Sequence, residues 1–442
     1  MMDGNRLKAG AARTVITPPV GVDLCGFGGR TGPSEGVHDD LRACALYLES
    51  GATRLVVLTA DLIGLDHGEV AAIRKGVRAL CGVPPEAVMV SCSHTHSGPV
   101  TRCIHYLGKT NEVYLDALVK RLALLAKEAM DAAVPARAGW GRASVQIGIN
   151  RRERRADGQI ALGENPLGAI AAHASILRVD DADGHPIACL VEHAAHAVTL
   201  GGANLLISGD WPGYAQRALE AELGGAAVAL FRQGCCGNIN CAQTGSFALA
   251  QVQGEELASA VLDAYAAIAT DDNLVLAAAT TPLRLPLLDT PEEETLERQL
   301  VELQADAEAK KTHENRGFRW MAEGAAAWCQ SLLEIARSGE TGRTVPFEVQ
   351  ALRVGDGVMV GLPGEVFVEY ALNIAAQSPF EHTSVSAYTN GNVGYIPDAR
   401  AYPEGGYEVL TAIRYYGTTM PAPESERLIL DTAANLLAQF HD

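Results

Sequence analysis

Two histidines one residue apart, His94 and His96, follow a short apolar run in the stretch VMVSCSHTHSGPVT, residues 88–101. Residues 87–90 read as a buried strand, and Gly98-Pro99 stops it. Side chains alternate along a strand, so both imidazoles are expected on one face at its end; on a helix they would stand roughly 200° apart. Two imidazoles aimed the same way suit a metal site, provided other parts of the chain supply partners. Four places combine reactive side chains with loop or strand-end settings. A strand carries His193 and His196 into a glycine-rich turn, and Glu365 follows a strand and a Pro-Gly turn. A loop-like segment holds Tyr395, Tyr402 and Tyr407, and a cationic cluster comprises Arg151, Arg152, Arg154 and Arg155.

The elements that must position these residues alternate irregularly. Strands are expected at 54–63, ending near Asp61, at 171–179 and 187–191 around an Asp-Ala-Asp-Gly turn, and at 226–231. A further pair is expected at 347–354 and 358–362, turning at Asp356-Gly357. Helices are expected at 69–80, 113–133, 212–223, 247–268 and 424–440. Thr290-Pro291-Glu292-Glu293-Glu294 reads as a helix start, with a capping hydroxyl, proline at the first position and acids in the first turn. The helical tendency runs on to about 338, with breaks near Gly317 and Gly324. No repeat or long linker divides the chain, so the pattern predicts one large α/β domain, residues 1–442, of mixed β-sheets flanked by helices. Residues 290–338 are the one candidate for a helical insertion or lid.

The 442 residues are 48% hydrophobic and 20% charged, an ordinary globular balance. A net charge of −18 argues against nucleic-acid partners and against an anionic membrane surface. No segment has the apolar core of a secretory signal or reaches membrane-spanning length, and the ten cysteines have no framework spacing. These features predict a cytoplasmic protein without a membrane anchor, acting on a small molecule; nothing indicates an oligomer. Gly32 to Gly36, GPSEG, matches a nucleophile-elbow pattern by letter but lacks the preceding strand. Cys235, Cys236 and Cys241 lack metal-site spacing and read as small buried residues, with one of them a candidate to line a pocket.

Over nearly its whole length the chain resembles the catalytic N-terminal domain of the neutral ceramidase family, zinc-dependent amidases that cleave the N-acyl bond of ceramide. The resemblance is carried by AGAARTVITPPVG, GVHDDLRACALYLE, SHTHSGP, INR, HAVTL with SGDWPGYA, PGE and the tyrosine-rich loop, in that order. It implies His94, His196, Glu365 and Tyr395 as zinc ligands, with His96, Arg151 and Tyr407 as the catalytic group. Zinc in such a site lowers the pKa of a bound water to about 7, giving a hydroxide that attacks an amide carbonyl. Three further expectations follow from departures from the family. Asn240 stands where the family has a serine, which excludes a serine nucleophile there and makes Asn240 a substrate-binding candidate. The family's C-terminal β domain is lacking. Ceramide itself is not the expected substrate; a soluble or amphiphilic N-acyl amide is, with ester or glycosidic hydrolysis, or metal-dependent binding without catalysis, as alternatives. His193 is expected to be structural, and His105, His173 and His185 ordinary packing or surface residues. Asp61 and Asp210 are candidates either to orient a ligand imidazole or to cap local backbone.

Overall fold

The computed structural model describes residues 6–440. Its main feature is a mixed eight-stranded sheet in the spatial order Val228–Gln233, Pro186–His193, His173–Asp181, Val134–Ser144, Lys8–Val15, Arg42–Ser50, Thr53–Ala60, Val88–Cys92. The outermost pair on each side is parallel and the interior pairs are antiparallel. Parallel edges place the C-terminal ends of Pro186–His193 and Val88–Cys92 where loops can carry function. Helices His67–Cys81 and Glu112–Asp131 cover one face of the Arg42–Val90 region. The first is closed by a reciprocal capping box of Asp66 and Glu69, and Asn111 caps the second. Strands Arg42–Ser50, Thr53–Ala60 and Val88–Cys92 are accordingly apolar on both faces.

In a flat sheet, strands six places apart would lie about 29 Å from one another. Here the sheet curls until Val228–Gln233 touches the opposite end, at Thr53–Ala60 and Val88–Cys92. The chain segment Ser386 to Asn390 closes the gap between the two edges. Ala387 N donates to Gln233 O (3.1 Å), Cys92 N to Tyr388 O (3.1 Å), and Asn390 N to Val90 O (2.7 Å). The Asn390 side chain accepts from Val90 N (2.9 Å) and donates to Gln350 (2.8 Å). Tyr388 and Asn390 take left-handed backbone conformations, φ 48° and 64°.

A second, four-stranded sheet, Leu276–Pro286, Thr344–Val354, Gly357–Gly361 and His382–Ser386, leads into this closure. Its hairpin turn falls at Gly355-Asp356, one residue before the expected Asp-Gly, because Gly355 adopts φ 62° and Val354 pairs with Gly357. Two helices, Glu293–Lys310 and Arg316–Ser338, stand between the paired strands Leu276–Pro286 and Thr344–Val354 and share their own apolar cluster around Leu300 and Leu332. Thr290 is not the cap: the helix starts after Glu292, with no side-chain cap and with Glu293 and Glu294 in its first turn. The break falls at 311–315, not at the glycines. Gly317 and Gly324 lie inside the second helix because other parts of the chain press against them. A Cβ on Gly317 would stand 2.2 Å from Gly28 O, and one on Gly324 2.4 Å from the Tyr106 ring. The architecture is α/β, with several mixed sheets flanked by helices. No helix among the described residues is long and apolar enough to cross a membrane. All ten cysteines are buried, and none forms a disulfide.

Candidate metal centre

The strand before the paired histidines ends at Cys92, so strand alternation does not align them. The chain instead turns at His94, where φ is 58°, an unfavourable conformation held by its surroundings. His94 Nδ1 donates to Ile63 O (2.6 Å), and the ring stacks on Tyr388 at 3.8 Å between centroids. The other strand likewise stops at His193, and His196 sits in the following loop. Its Nδ1 donates to Cys236 O (2.6 Å) and lies 3.0 Å from Ile239 O. Trp211 Nε1 donates to the His196 carbonyl (3.2 Å). Glu365 and Tyr395 are brought together by a two-residue parallel pairing, Glu365–Val366 with Tyr395–Ile396, in which they occupy the same register position.

With both Nδ1 atoms committed to backbone carbonyls, His94 and His196 turn their Nε2 lone pairs inward. Glu365 Oε2 lies 3.6 Å from His94 Nε2 and 3.3 Å from His196 Nε2. His96 Nε2 faces His94 Nε2 at 3.1 Å, and nitrogens of the three imidazoles fall within 4.8 Å of one another. His96 Nδ1 is buried without a partner. Burial drives His196 down to about 4, keeping it neutral. Burial pushes the Glu365 carboxyl upward, but the imidazoles facing it outweigh this and hold it well below the usual carboxylate range. His94 Nε2, His196 Nε2 and Glu365 Oε2 thus share one buried space, which suits a cation. Imidazole nitrogen, carboxylate and phenol oxygen together form a donor set that fits zinc.

Arg151 borders the cluster. Its Nε donates to Glu408 (2.8 Å), Nη1 to Asn240 Oδ1 (3.1 Å) and Nη2 to the Tyr395 hydroxyl (2.9 Å). Tyr407 stands edge-on to Tyr395 at 5.9 Å and beneath the Arg151 guanidinium, also at 5.9 Å. His94, His196, Glu365, Tyr395 and Arg151 are buried, whereas His96, Asn240 and Tyr407 are half-buried and form the open rim. The eight residues read as ligands, catalytic group and substrate contact therefore lie in one place. Arg152 is also buried, on Glu408 (2.9 Å), so only the outer part of the arginine cluster is a solvated face.

Several neighbours carried no sequence signal. The Tyr416 hydroxyl donates to Glu365 Oε1, and the Tyr388 hydroxyl to Oε2 (3.4 Å). Arg30 donates to the His96 carbonyl and to Cys25 O (2.5 Å), and Phe27 meets the His96 ring edge-on at 5.0 Å. Neither Asp61 nor Asp210 touches a ligand imidazole; backbone carbonyls do that work. Asp61 accepts from Arg42 N (2.9 Å) and Gln216 (3.2 Å), and Asp210 from Trp211 N (2.7 Å) at the start of its helix.

His193 packs on Trp211 and donates from Nδ1 to His173 O (2.9 Å). Burial pushes it down to about 4, against about 6.5 in an unfolded chain. As pH falls the unfolded chain therefore takes up this proton first. Stability linked to neutral His193 is complete above pH 6.5 and is lost as pH falls towards 4. His193→Asn should flatten the loss of urea resistance between pH 6.5 and 4.5. An unchanged slope would show that His193 does not contribute.

Residues 8–257, more than half of the chain, match the family described as neutral/alkaline non-lysosomal ceramidase, N-terminal. A neutral ceramidase of Drosophila pseudoobscura pseudoobscura is 26% identical over 230 residues, covering 49% of this chain and 32% of its own length. Neutral ceramidase B of Dictyostelium discoideum is 25% identical over 230 residues, covering 47% and 30%. The chain thus spans about a third of the length of these curated relatives. The crystal structure of neutral ceramidase from Pseudomonas aeruginosa superposes with a TM-score of 0.74 at 20% identity, over 99% of this chain and 75% of that one, which shows a shared fold.

Proposed function

Since the chain belongs to the neutral/alkaline non-lysosomal ceramidase family, we propose that its buried cluster holds one zinc ion and hydrolyses an N-acyl amide of a soluble or amphiphilic small molecule other than ceramide. The observation that carries this reading is the convergence of His94 Nε2, His196 Nε2 and Glu365 Oε2 on one space beside Tyr395. His94, His196, Glu365 and Tyr395 are the proposed ligands. When bound, zinc supplies an activated water and polarises the carbonyl. Around it, His96 on the rim moves a proton to the departing amine. Tyr407 donates to the carbonyl oxygen as charge develops on it. Arg151 turns its N–H groups to Glu408, Asn240, Tyr395 and, at 3.4 Å, His196 Nε2, so it chiefly holds those groups in place. Asn240 offers its remaining amide hydrogens to the substrate.

The test is elemental analysis of the purified protein together with turnover of matched amides, esters and glycosides. One zinc per chain with amide turnover is the expected result. Ester or glycoside turnover without amide turnover would transfer the site to that bond. Zinc without any turnover would favour a binding role, and a folded protein that cannot be loaded with zinc would end the metal reading.

The helical pair at 293–338 is proposed as a lid that shapes the entrance. Support comes from the close approach of Gly317 to Gly28 and Arg30, next to Phe27 on His96, and of Met321 to Gly28. Gly317→Ala should push the pair outward, raising KM several-fold while kcat and zinc content stay unchanged. Unaltered KM in a folded variant would remove the lid from the account.

A further inference from the structure

At the base of the helical pair lies a cleft of about 700 Å³ that none of the proposed zinc ligands lines. It is bounded by Arg284 and Arg343 from the paired strands and the loop before them, by Asn392 and Val393, and by Tyr416 and Thr418. It adjoins the zinc cluster through two supports: Val393 lies two residues before Tyr395, and Tyr416 donates to Glu365.

The cleft carries an unbalanced set of donors. Arg284 donates only to Thr344 (3.4 Å) and Arg343 only to Thr419 (2.7 Å); neither has a carboxylate partner among the described residues. Both charges are therefore left to face the cleft without an acid of their own. A third arginine on the wall, Arg102, is neutralised by Glu69, Glu112 and Asp116. Of the two lining carboxylates, Asp66 is occupied in capping its helix, which leaves Glu340. Asn392 is buried, and its Oδ1 accepts from Gly394 N (3.0 Å), which assigns Nδ2 as the donor. That Nδ2 has no hydrogen-bond partner. Two guanidiniums without acids on one cleft, with an unpaired amide donor buried just beneath its floor, suit an anionic group.

We propose that this cleft binds a small oxyanion, a carboxylate or a phosphate, between Arg284 and Arg343 with Asn392 on the floor. The site is independent of the zinc reading. Its test is isothermal titration of the protein as purified with inorganic phosphate and, separately, with hexanoate. At least one probe should saturate at one per chain with Kd of about 1 mM, the strength of two charge-assisted hydrogen bonds. The tighter probe identifies the anionic group. Arg284→Gln with Arg343→Gln should weaken binding at least about tenfold. Glu340→Gln, which removes the unpaired acid, should tighten binding several-fold and keeps the test decisive should the double variant fold poorly. Failure of both probes to saturate overturns the proposal. So does binding unaffected by the arginine substitutions, as for an anion held at the histidine cluster.

Discussion

Glu365→Gln is expected to lower zinc affinity by about a thousandfold or more and to abolish turnover, while leaving the zinc-free protein folded. The two halves of this expectation separate a metal ligand from a structural carboxylate. In the zinc-free molecule Glu365 is buried among two Nε2 lone pairs, and its oxygens accept from the Tyr416 and Tyr388 hydroxyls. Glutamine retains an oxygen for those hydroxyls, so the fold is kept, although the charge that the facing imidazoles favour is lost. Binding to zinc, by contrast, needs the charge. Elemental analysis after exposure to equal zinc, with urea unfolding of both zinc-free forms, gives the answer. A variant that keeps one zinc per chain would exclude Glu365 as a ligand.

The second large effect concerns Glu408. This carboxylate is 1% exposed and carries two buried guanidiniums, Arg151 on Oε1 (2.8 Å) and Arg152 on Oε2 (2.9 Å). Breaking a buried pair from one side strands the remaining charge, which typically costs about 3–5 kcal/mol. Glu408→Gln strands two guanidiniums, although Glu404 still reaches Arg152 (3.2 Å), so a loss in that range is expected from urea unfolding. Activity should fall further than folding alone explains, because Arg151 holds both Tyr395 and Asn240. A loss under about 1 kcal/mol would mean that water reaches the arginines and that the pair is effectively a surface one.

Local signals in the chain were sufficient for the α/β architecture, because they rest on short-range physics: apolar runs for the doubly covered strands and a turn at 181–184 between His173–Asp181 and Pro186–His193. The His94–His96 pair was visible as a cluster for a different reason than its apparent strand alternation. What aligns the rings is a left-handed residue after Cys92 and a carbonyl at Ile63, neither of which has a pattern to read. Tyr388 and Tyr416 could not be found from the chain alone, since each reaches the cluster through tertiary contacts with residues such as His94 and Glu365. Gly317 and Gly324 misled for a related reason. A glycine that ends a helix and one that admits a neighbour have the same letter, and only the opposing Gly28 and Tyr106 tell them apart.

The curled sheet also bears on how the chain is made. Its two outer strands, Val88–Cys92 and Val228–Gln233, are largely apolar and buried throughout, and both are joined to the segment Ser386 to Asn390. A nascent chain emerging N-terminus first completes both strands more than 150 residues before that segment appears. Until then each presents an open, hydrophobic edge of the kind that recruits foreign strands and aggregates. Any product truncated before residue 386 keeps both edges exposed, so the last eighth or so of the chain acts as the seal on its own solubility.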